Sequence, residues 1–514
     1  MNGVTPSIGT ASVILVLGFT GSRALGVVRN IALAETFGTG PELDAYFAAF
    51  RLPDALFQLI VGAALGSAFI PTFANTFTRV SPADAWRLAG AALNIFTFLG
   101  AVAAGVGFAL APWLVPLTVP GFPESQQELT VILTRTMLLS TVFFCASGTV
   151  AGILNARGHF FLPAVAPWLY NLSIIGGTWW LSGVFGALGP AIGVAVGAAL
   201  HLLIQLPGLA RVGMRYTLTF HPQTPGMGEI FRLMGPRVLG LATIQVNWLV
   251  TTVLASTLSA GSVAALSYAW AVTMLPLSVF GMAPATAAFP TLAQAAAQED
   301  WARFRHTLST GLRIALFLTI PSSVGLMLLR EPLIALLFQR GLFDAASTRL
   351  TAFALLFYGG GLVAHVLLEM AARGSYALRD TKTPFAFASL GMVAHAVFSL
   401  LLRVPMGVGG LALAMSLSAT LEAGGLLMAL LRRLDGFDWK ELVTSGSRTL
   451  AATVVMAGAV QGVLVATSRI EGTRGTILAL AVGVVLGSAS FAGAAAVLRC
   501  PELQTLWRQF VSRR

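Results

Sequence analysis

The chain has 514 residues, of which 56% are hydrophobic and only 10% charged, and its mean hydropathy is +0.82. A soluble globular domain carries roughly 25% charged residues, so this composition excludes one and points to a polytopic membrane protein. The net charge of +11 would suggest nucleic acid in a soluble protein; here the arginines cluster in short loops, as the positive-inside rule expects, and no nucleic-acid role follows.

The N-terminus, MNGVTPSIGT, has no basic region ahead of its apolar stretch and no small-residue cleavage site, so the first apolar segment is expected to be a retained span. Apolar runs then predict helices at about 8–34, 45–77, 85–117, 127–155, 160–183, 186–211, 229–258, 262–296, 303–328, 347–372, 384–404, 407–432, 447–468 and 475–498. The expectation is therefore an all-α polytopic membrane protein of about fourteen spans. Alternate loops differ in basic charge: Arg79, Arg157, Arg211, Arg303, Arg379 and Arg432 fall on one side, and Glu35, Glu42 and Glu124 on the other. That bias predicts cytoplasmic N- and C-termini.

The two halves echo each other. RALG at 23–26 matches RVLG at 237–240, GAALGSAFIPTF at 62–73 matches GMAPATAAFPTL at 281–292, and NARG at 155–158 matches AARG at 371–374. The offsets are 214, 219 and 216. Six spans per copy preserve topology, which reads as two parallel six-helix lobes with a site between them. The expected divisions are 1–213 for the first lobe, 214–227 for a polar linker and 228–434 for the second lobe. Residues 435–514 would then hold two further helices and a C-terminal amphipathic helix. Leu503, Leu506, Trp507, Phe510 and Val511 are helically spaced there beside Arg508, Arg513 and Arg514.

Charges inside the spans are the functional signal. Arg23 and Arg29 lie in the first apolar run, where a charge costs at least ~2.5–3.5 kcal/mol and nearly always faces a bundle interior or a watery cavity. Six residues separate them, roughly 9 Å along the axis and about 120° around it. Gly26 removes bulk between them, and Asn30 returns to the Arg23 face. Guanidinium forks suit phosphate oxygens, so Arg23, Arg29 and Asn30 are candidates to hold an elongated anion; snorkelling or a structural pairing is the alternative.

Asp44 and Arg51 share a face of the second span and are candidates to shape or gate a vestibule, Asp44 alternatively being a solvated helix end. In the tenth span His365, Glu369 and Arg373 follow at i, i+4 and i+8. They are candidates for ion coupling or, alternatively, polar glue between helices. Cys145 and Cys500 are the only cysteines, and no metal cluster or disulfide framework is expected. There is no GxxxxGK[ST], no HExxH and no soluble segment long enough for an ATPase domain. A gradient-driven transporter without catalytic residues, ATP or cofactor fits this pattern better than an enzyme.

Five stretches resemble the MurJ/MviN lipid II flippases of the MOP exporter superfamily: SRALGVVRN at 22–30, FGTGPELDAYFAAFRLPD at 37–54, SAFIPTF at 67–73, ILNARGHFFLPAVAP at 153–167 and RGSYALRDTKTP at 373–384. The resemblance runs from about residue 8 to 432, and less specifically beyond. It implies fourteen helices in a V-shaped transporter with a central cationic cavity. The implied substrate is the polyprenyl-pyrophosphate-linked precursor of peptidoglycan, moved from the inner to the outer leaflet of a bacterial plasma membrane. It further implies diphosphate-binding arginines at Arg23 and Arg29, an acidic counterpart at Asp44 and a tail groove formed with the last two helices. Coupling would be to the membrane potential or an ion gradient, and a monomer is expected.

The chain departs from the family where Phe57, Gln58, Gly62 and Ala271 replace residues usually charged, and Asn30 replaces an aspartate. Arg51 offers a compensating positive charge. Two alternatives stay open: export of another polyprenyl-linked glycan, or a non-transporting membrane scaffold.

Overall fold

The structure is a computed structural model describing residues 8–505 except 64–67, 222, 435 and 471, and except the side chains of 8–13 and 15. The described residues form helices joined by loops and contain no strand. Leu506, Trp507, Arg508, Phe510, Val511, Arg513 and Arg514 of the expected amphipathic helix lie outside them, as does Ser67 of the repeat stretch.

In chain order the helices are α1 (Ile8–Phe37), α2 (Pro41–Phe57), α3 (Ile70–Arg79), α4 (Pro82–Thr118), α5 (Glu124–Ala156), α6 (Phe161–Gly176), α7 (Ser182–Phe185), α8 (Leu188–Leu203), α9 (Leu206–Arg211), α10 (Met227–Ser256), α11 (Ser262–Pro276), α12 (Ala283–Ala297), α13 (Trp301–Leu328), α14 (Arg330–Phe338), α15 (Ala345–Ala377), α16 (Lys382–Arg432), α17 (Trp439–Thr467) and α18 (Gly472–Val497). Ten helices among the described residues are long and apolar enough to cross a membrane, and the helical segments are consistent with fourteen crossings. Gly407, at φ 54° and ψ −130°, divides α16 into two rods just after Pro405.

π-Helical turns interrupt the spans at Gln58–Gly62, Gly177–Leu181 and Leu277–Met282. The first follows Pro53, whose missing N–H already weakens α2. The third follows Pro276 directly. Such bulges cluster where a helix must expose backbone or redirect side chains.

The helix ends reveal the register of the repeat. Ser81 caps α4 by accepting from Asp84 N–H at 3.0 Å, and Asp300, 219 residues later, caps α13 by accepting from Arg303 N–H at 2.9 Å. The π turns beginning at Gln58 and Leu277 are also 219 apart. From α5 onward the offset is 221: Glu124 with Ala345, Ala156 with Ala377, and Phe161 with Lys382. Gly186, at φ 53° and ψ −138°, matches Gly407 at the same spacing. Only the echo at 219 sits in this register; the other two are five residues out. Local likeness in so alanine- and glycine-rich a chain slipped by about one and a half turns.

Packing divides the chain into two compact units. One comprises Met1–Val263 with Arg340–Leu342, the other Ala264–Gln339 with Phe343–Arg514. The division thus falls after α10, whereas the repeat reading placed it before. The cause is burial: Met227 and Ile230 at the start of α10 enter the first unit's core with Phe69, Phe73, Trp86 and Phe96. The polar linker is pinned to that unit too, because Asn94 donates to Thr217 O and Thr219 O at 3.3 and 3.0 Å and accepts from Tyr216 at 2.8 Å.

In the first unit α5 packs against α2, α4 and α8. Small residues allow the close approaches: a Cβ on Gly193 of α8 would lie 2.6 Å from Ser173 O of α6. In the second unit α15 is the corresponding hub, against α13 and α16. There Asp380, in the RDTKTP stretch, accepts from Lys382 and Thr383 N–H at 3.0 Å each and pairs with Arg433. Partial burial pushes the Asp380 carboxyl up, but the bonds from Thr383 and the Arg433 guanidinium outweigh it and hold the group at about 2.

Candidate functional site

The charged residues of the first apolar run sit on a helix held in place by glycines. Trp168 of α6 donates its indole N–H to Gly18 O at 2.9 Å, and a Cβ on Gly21 would lie 2.3 Å from that indole. This contact fixes α1 against α6 one turn ahead of Arg23. Gly26 is different in kind: a Cβ there would meet only Asn171 Oδ1, at 3.9 Å. Gly26 therefore leaves space beside it on α1.

Arg23 is exposed on α1 and Arg29 half-buried. The Arg29 Nε and Nη2 donate to Asn30 Oδ1 at 3.3 and 3.2 Å. Asn30 is buried and therefore orients the guanidinium without neutralising it. The hydroxyls of Tyr46 in α2 and Tyr170 in α6 are electrostatic neighbours of Arg29. The Tyr170 hydroxyl and Asn171 Oδ1 are buried with no hydrogen-bond partner among the described residues. A cation is thus set among polar groups that retain bonding capacity, an arrangement suited to an anion.

One turn of α2 further on lies a second polar group. The Arg51 guanidinium stacks over Trp248 of α10, 4.4 Å from the ring centroid. Asp54 lies in the field of Arg51 and is hydrogen-bonded by Gln58 and Gln245. Asp54 and Trp248 were not among the residues singled out for function. The i, i+4 spacing of Asp54 and Gln58 was the available signal; the Arg51–Trp248 pair, 197 positions apart, had none.

Asp44 is 1% exposed, and its Oδ2 accepts from Gly261 N–H at 2.6 Å. Gly261 has φ 89°, and a Cβ there would lie 2.1 Å from Thr39 O. Asp44 therefore anchors the 257–262 turn to the start of α2, within the first unit.

His365, Glu369 and Arg373 do share one face of α15. Arg373 Nη1 closes on Glu369 Oε2 at 2.6 Å, and Nη2 donates to Thr286 of α12 at 3.0 Å. His365 packs edge-on against Trp270 at 5.3 Å. His201 forms a separate buried staple: its Nδ1 lies 2.6 Å from Ser147 Oγ, which also accepts from Gln205 at 2.7 Å. Among the described residues no group of three or more His, Cys, Asp and Glu side chains could hold a metal ion.

Long apolar helices that recur in two units, with guanidinium groups set within them, define a helical membrane-protein fold shared with solved proteins of the MOP superfamily. A solved multidrug MATE transporter of that superfamily, in an inward-facing conformation, superposes with TM-score 0.72 at 17% identity, over 81% of this chain and 95% of that one. A solved lipid II flippase MurJ in an inward closed conformation superposes with TM-score 0.79 at 23% identity, over 95% and 99%.

The family model for lipid II flippase MurJ matches residues 33–485. The probable lipid II flippase MurJ of Vibrio cholerae is 32% identical over 450 residues, 85% of each chain. The lipid II flippase MurJ of Burkholderia cenocepacia is 33% identical over 438 residues, 82% of this chain and 84% of its own. The chain belongs to the MurJ family and is a multi-pass membrane protein.

Proposed function

We propose that this protein flips lipid II, the polyprenyl-pyrophosphate-linked peptidoglycan precursor, from the inner to the outer leaflet of the bacterial plasma membrane by alternating access. The observation that carries the reading is the cluster on α1: Arg23 exposed, and Arg29 oriented by Asn30 beside Tyr46 and Tyr170. On this reading Arg23 and Arg29 hold the diphosphate, since guanidinium forks bind its oxygens in pairs. Asp44 acts on the vestibule through the turn that it anchors, and Gly26 leaves room for the passing group. Arg51 contributes positive charge at a place set by Trp248. The protein is not an enzyme and uses neither ATP nor a cofactor; transport draws on the membrane potential or an ion gradient. Both termini lie in the cytoplasm, and the working unit is a monomer.

A second reading has a specific observation behind it. Gln58 and Gln245 bond Asp54 where the family usually places charge near Gln58, which favours another polyprenyl-linked glycan with the same diphosphate. One experiment separates the two. A bacterium depleted of its own lipid II flippase is supplied with the intact protein or with Arg23→Ala. Rescue by the intact protein alone supports lipid II and the arginine site together. A membrane-inserted intact protein that fails to rescue refutes lipid II as the cargo.

A further inference from the structure

Three non-glycine residues among those described adopt left-handed φ values, and two of them, Glu299 (φ 56°) and Arg379 (φ 58°), line one cleft in the second unit. The cleft has a volume of about 550 Å³. It lies where α12 and α15 end, each closing a segment long and apolar enough to cross a membrane, and so toward one membrane face. Its floor is small and apolar, from Ala293, Ala296 and Ala377, and its sides are Trp301 and Tyr376, 43% and 45% exposed.

Each strained residue occupies the position just past a helix C-terminus where glycine is strongly favoured. The backbone closes in the same way at both: Asp300 N–H reaches Ala295 O at 2.9 Å, and Asp380 N–H reaches Ser375 O at 3.0 Å. The first unit contains its own control. Gly158, 221 residues before Arg379 and in the same register, has φ 76° with His159 N–H bonded to Leu154 O at 2.8 Å. The turn is thus built with glycine in one half of the molecule and with arginine in the other, at a cost in backbone strain. No internal contact accounts for that choice. Among the described residues neither the Glu299 carboxylate nor the Arg379 guanidinium has an ion-pair or hydrogen-bond partner.

We propose that this cleft binds a phospholipid headgroup carrying one phosphate and one primary ammonium, of the phosphatidylethanolamine type. The planar Arg379 fork takes the phosphate oxygens and Glu299 accepts from the ammonium. Trp301 and Tyr376 are interfacial aromatics at headgroup depth, and the alanine floor lets the glycerol and first acyl carbons lie close. An anionic headgroup without an amine would leave Glu299 facing like charge, and a quaternary amine offers it no N–H donor. The inference is independent of the transported cargo.

Glycine substitution relieves strain at both positions, so Glu299→Gly with Arg379→Gly is a variant expected to fold; Gly158 is the precedent. The full-length protein and this variant are placed in nanodiscs of phosphatidylglycerol with phosphatidylethanolamine or phosphatidylcholine, and lipid retained after mild detergent extraction is counted by native mass spectrometry. The intact protein is expected to retain phosphatidylethanolamine about tenfold over phosphatidylcholine, and the variant to lose that preference while melting no lower. Arg379→Lys, which keeps charge but loses the fork, should fall between them. Equal retention by intact protein and variant overturns the proposal, as does an intact protein that ignores the amine. Binding of glycerophosphoethanolamine to the detergent-solubilised protein as tightly as the lipid itself would assign the cleft to a soluble ligand and overturn the lipid.

Discussion

Backbone positions 219 or 221 residues apart share caps, helix ends and one glycine bend, yet their side chains do different chemistry. Ser81 and Asp300 are both caps, and Gly186 and Gly407 both bend, because an unsatisfied N–H or a left-handed φ admits few solutions. Arg29 of α1, by contrast, corresponds to Trp248 of α10, the very ring on which Arg51 rests. Arg29 of the first unit is oriented by an amide and has two phenols as electrostatic neighbours. Arg373 in the second unit is closed on Glu369 and tied to Thr286. Backbone demands outlast duplication, and side-chain chemistry is free to divide the labour.

The comparison breaks first at the arginines. Arg29→Ala is expected to abolish rescue of a flippase-depleted bacterium, whereas Arg373→Ala should leave rescue within a few-fold, since its partner Glu369 stays half-open to relax. Equal loss in both, at equal membrane abundance, would erase the functional difference drawn between the units.

Next come the glycines of α1. Gly21→Ala drives a methyl into the Trp168 indole and should cost about 1–3 kcal/mol, read as a lower melting temperature. Gly26→Ala, with nothing nearer than 3.9 Å, should melt like the parent. A reversal of that order would show that α1 is not seated as described. A smaller effect is expected at Trp248→Leu, which removes the ring beneath Arg51 and should cost ~0.5–2 kcal/mol while raising the salt sensitivity of transport; unchanged salt sensitivity would deny Arg51 a place in the electrostatics of the site.

Much of this was legible in the chain itself. Composition and apolar run length located most helices to within about five residues, including the break near 405–407, because a membrane span must satisfy its backbone internally, but they missed α14 and started α17 at 447, not at Trp439. The π turns were not legible, since they depend on how Pro53 and Pro276 are accommodated by neighbouring helices. The repeat was visible but slipped, because four-residue echoes in an alanine- and glycine-rich chain cannot set register, whereas caps and left-handed turns can. Arg29 and Asn30 stood out as charge and amide inside an apolar run. Trp248 did not, since one more aromatic in a span is ordinary until Arg51 is found upon it. Asp44 read either as a vestibule residue or as a helix end open to water, and its burial depends on the distant Gly261.

The smallest expected effect sharpens the comparison most. Glu369 lies in a membrane helix, on a stripe with His365 and Arg373 that suits either ion coupling or structure. The geometry favours structure: the carboxylate is already occupied at 2.6 Å by Arg373, whose other nitrogen holds Thr286 of α12. Glu369→Gln keeps an acceptor for Arg373 and removes only charge, so it should cost ~0.3–0.5 kcal/mol as an i, i+4 pair. Transport into vesicles should then respond to an imposed pH gradient as the parent does. If Glu369→Gln instead lost its response to that gradient while keeping its response to membrane potential, the carboxylate would be a proton carrier. The second unit would then hold the coupling step, leaving the first to grip the cargo.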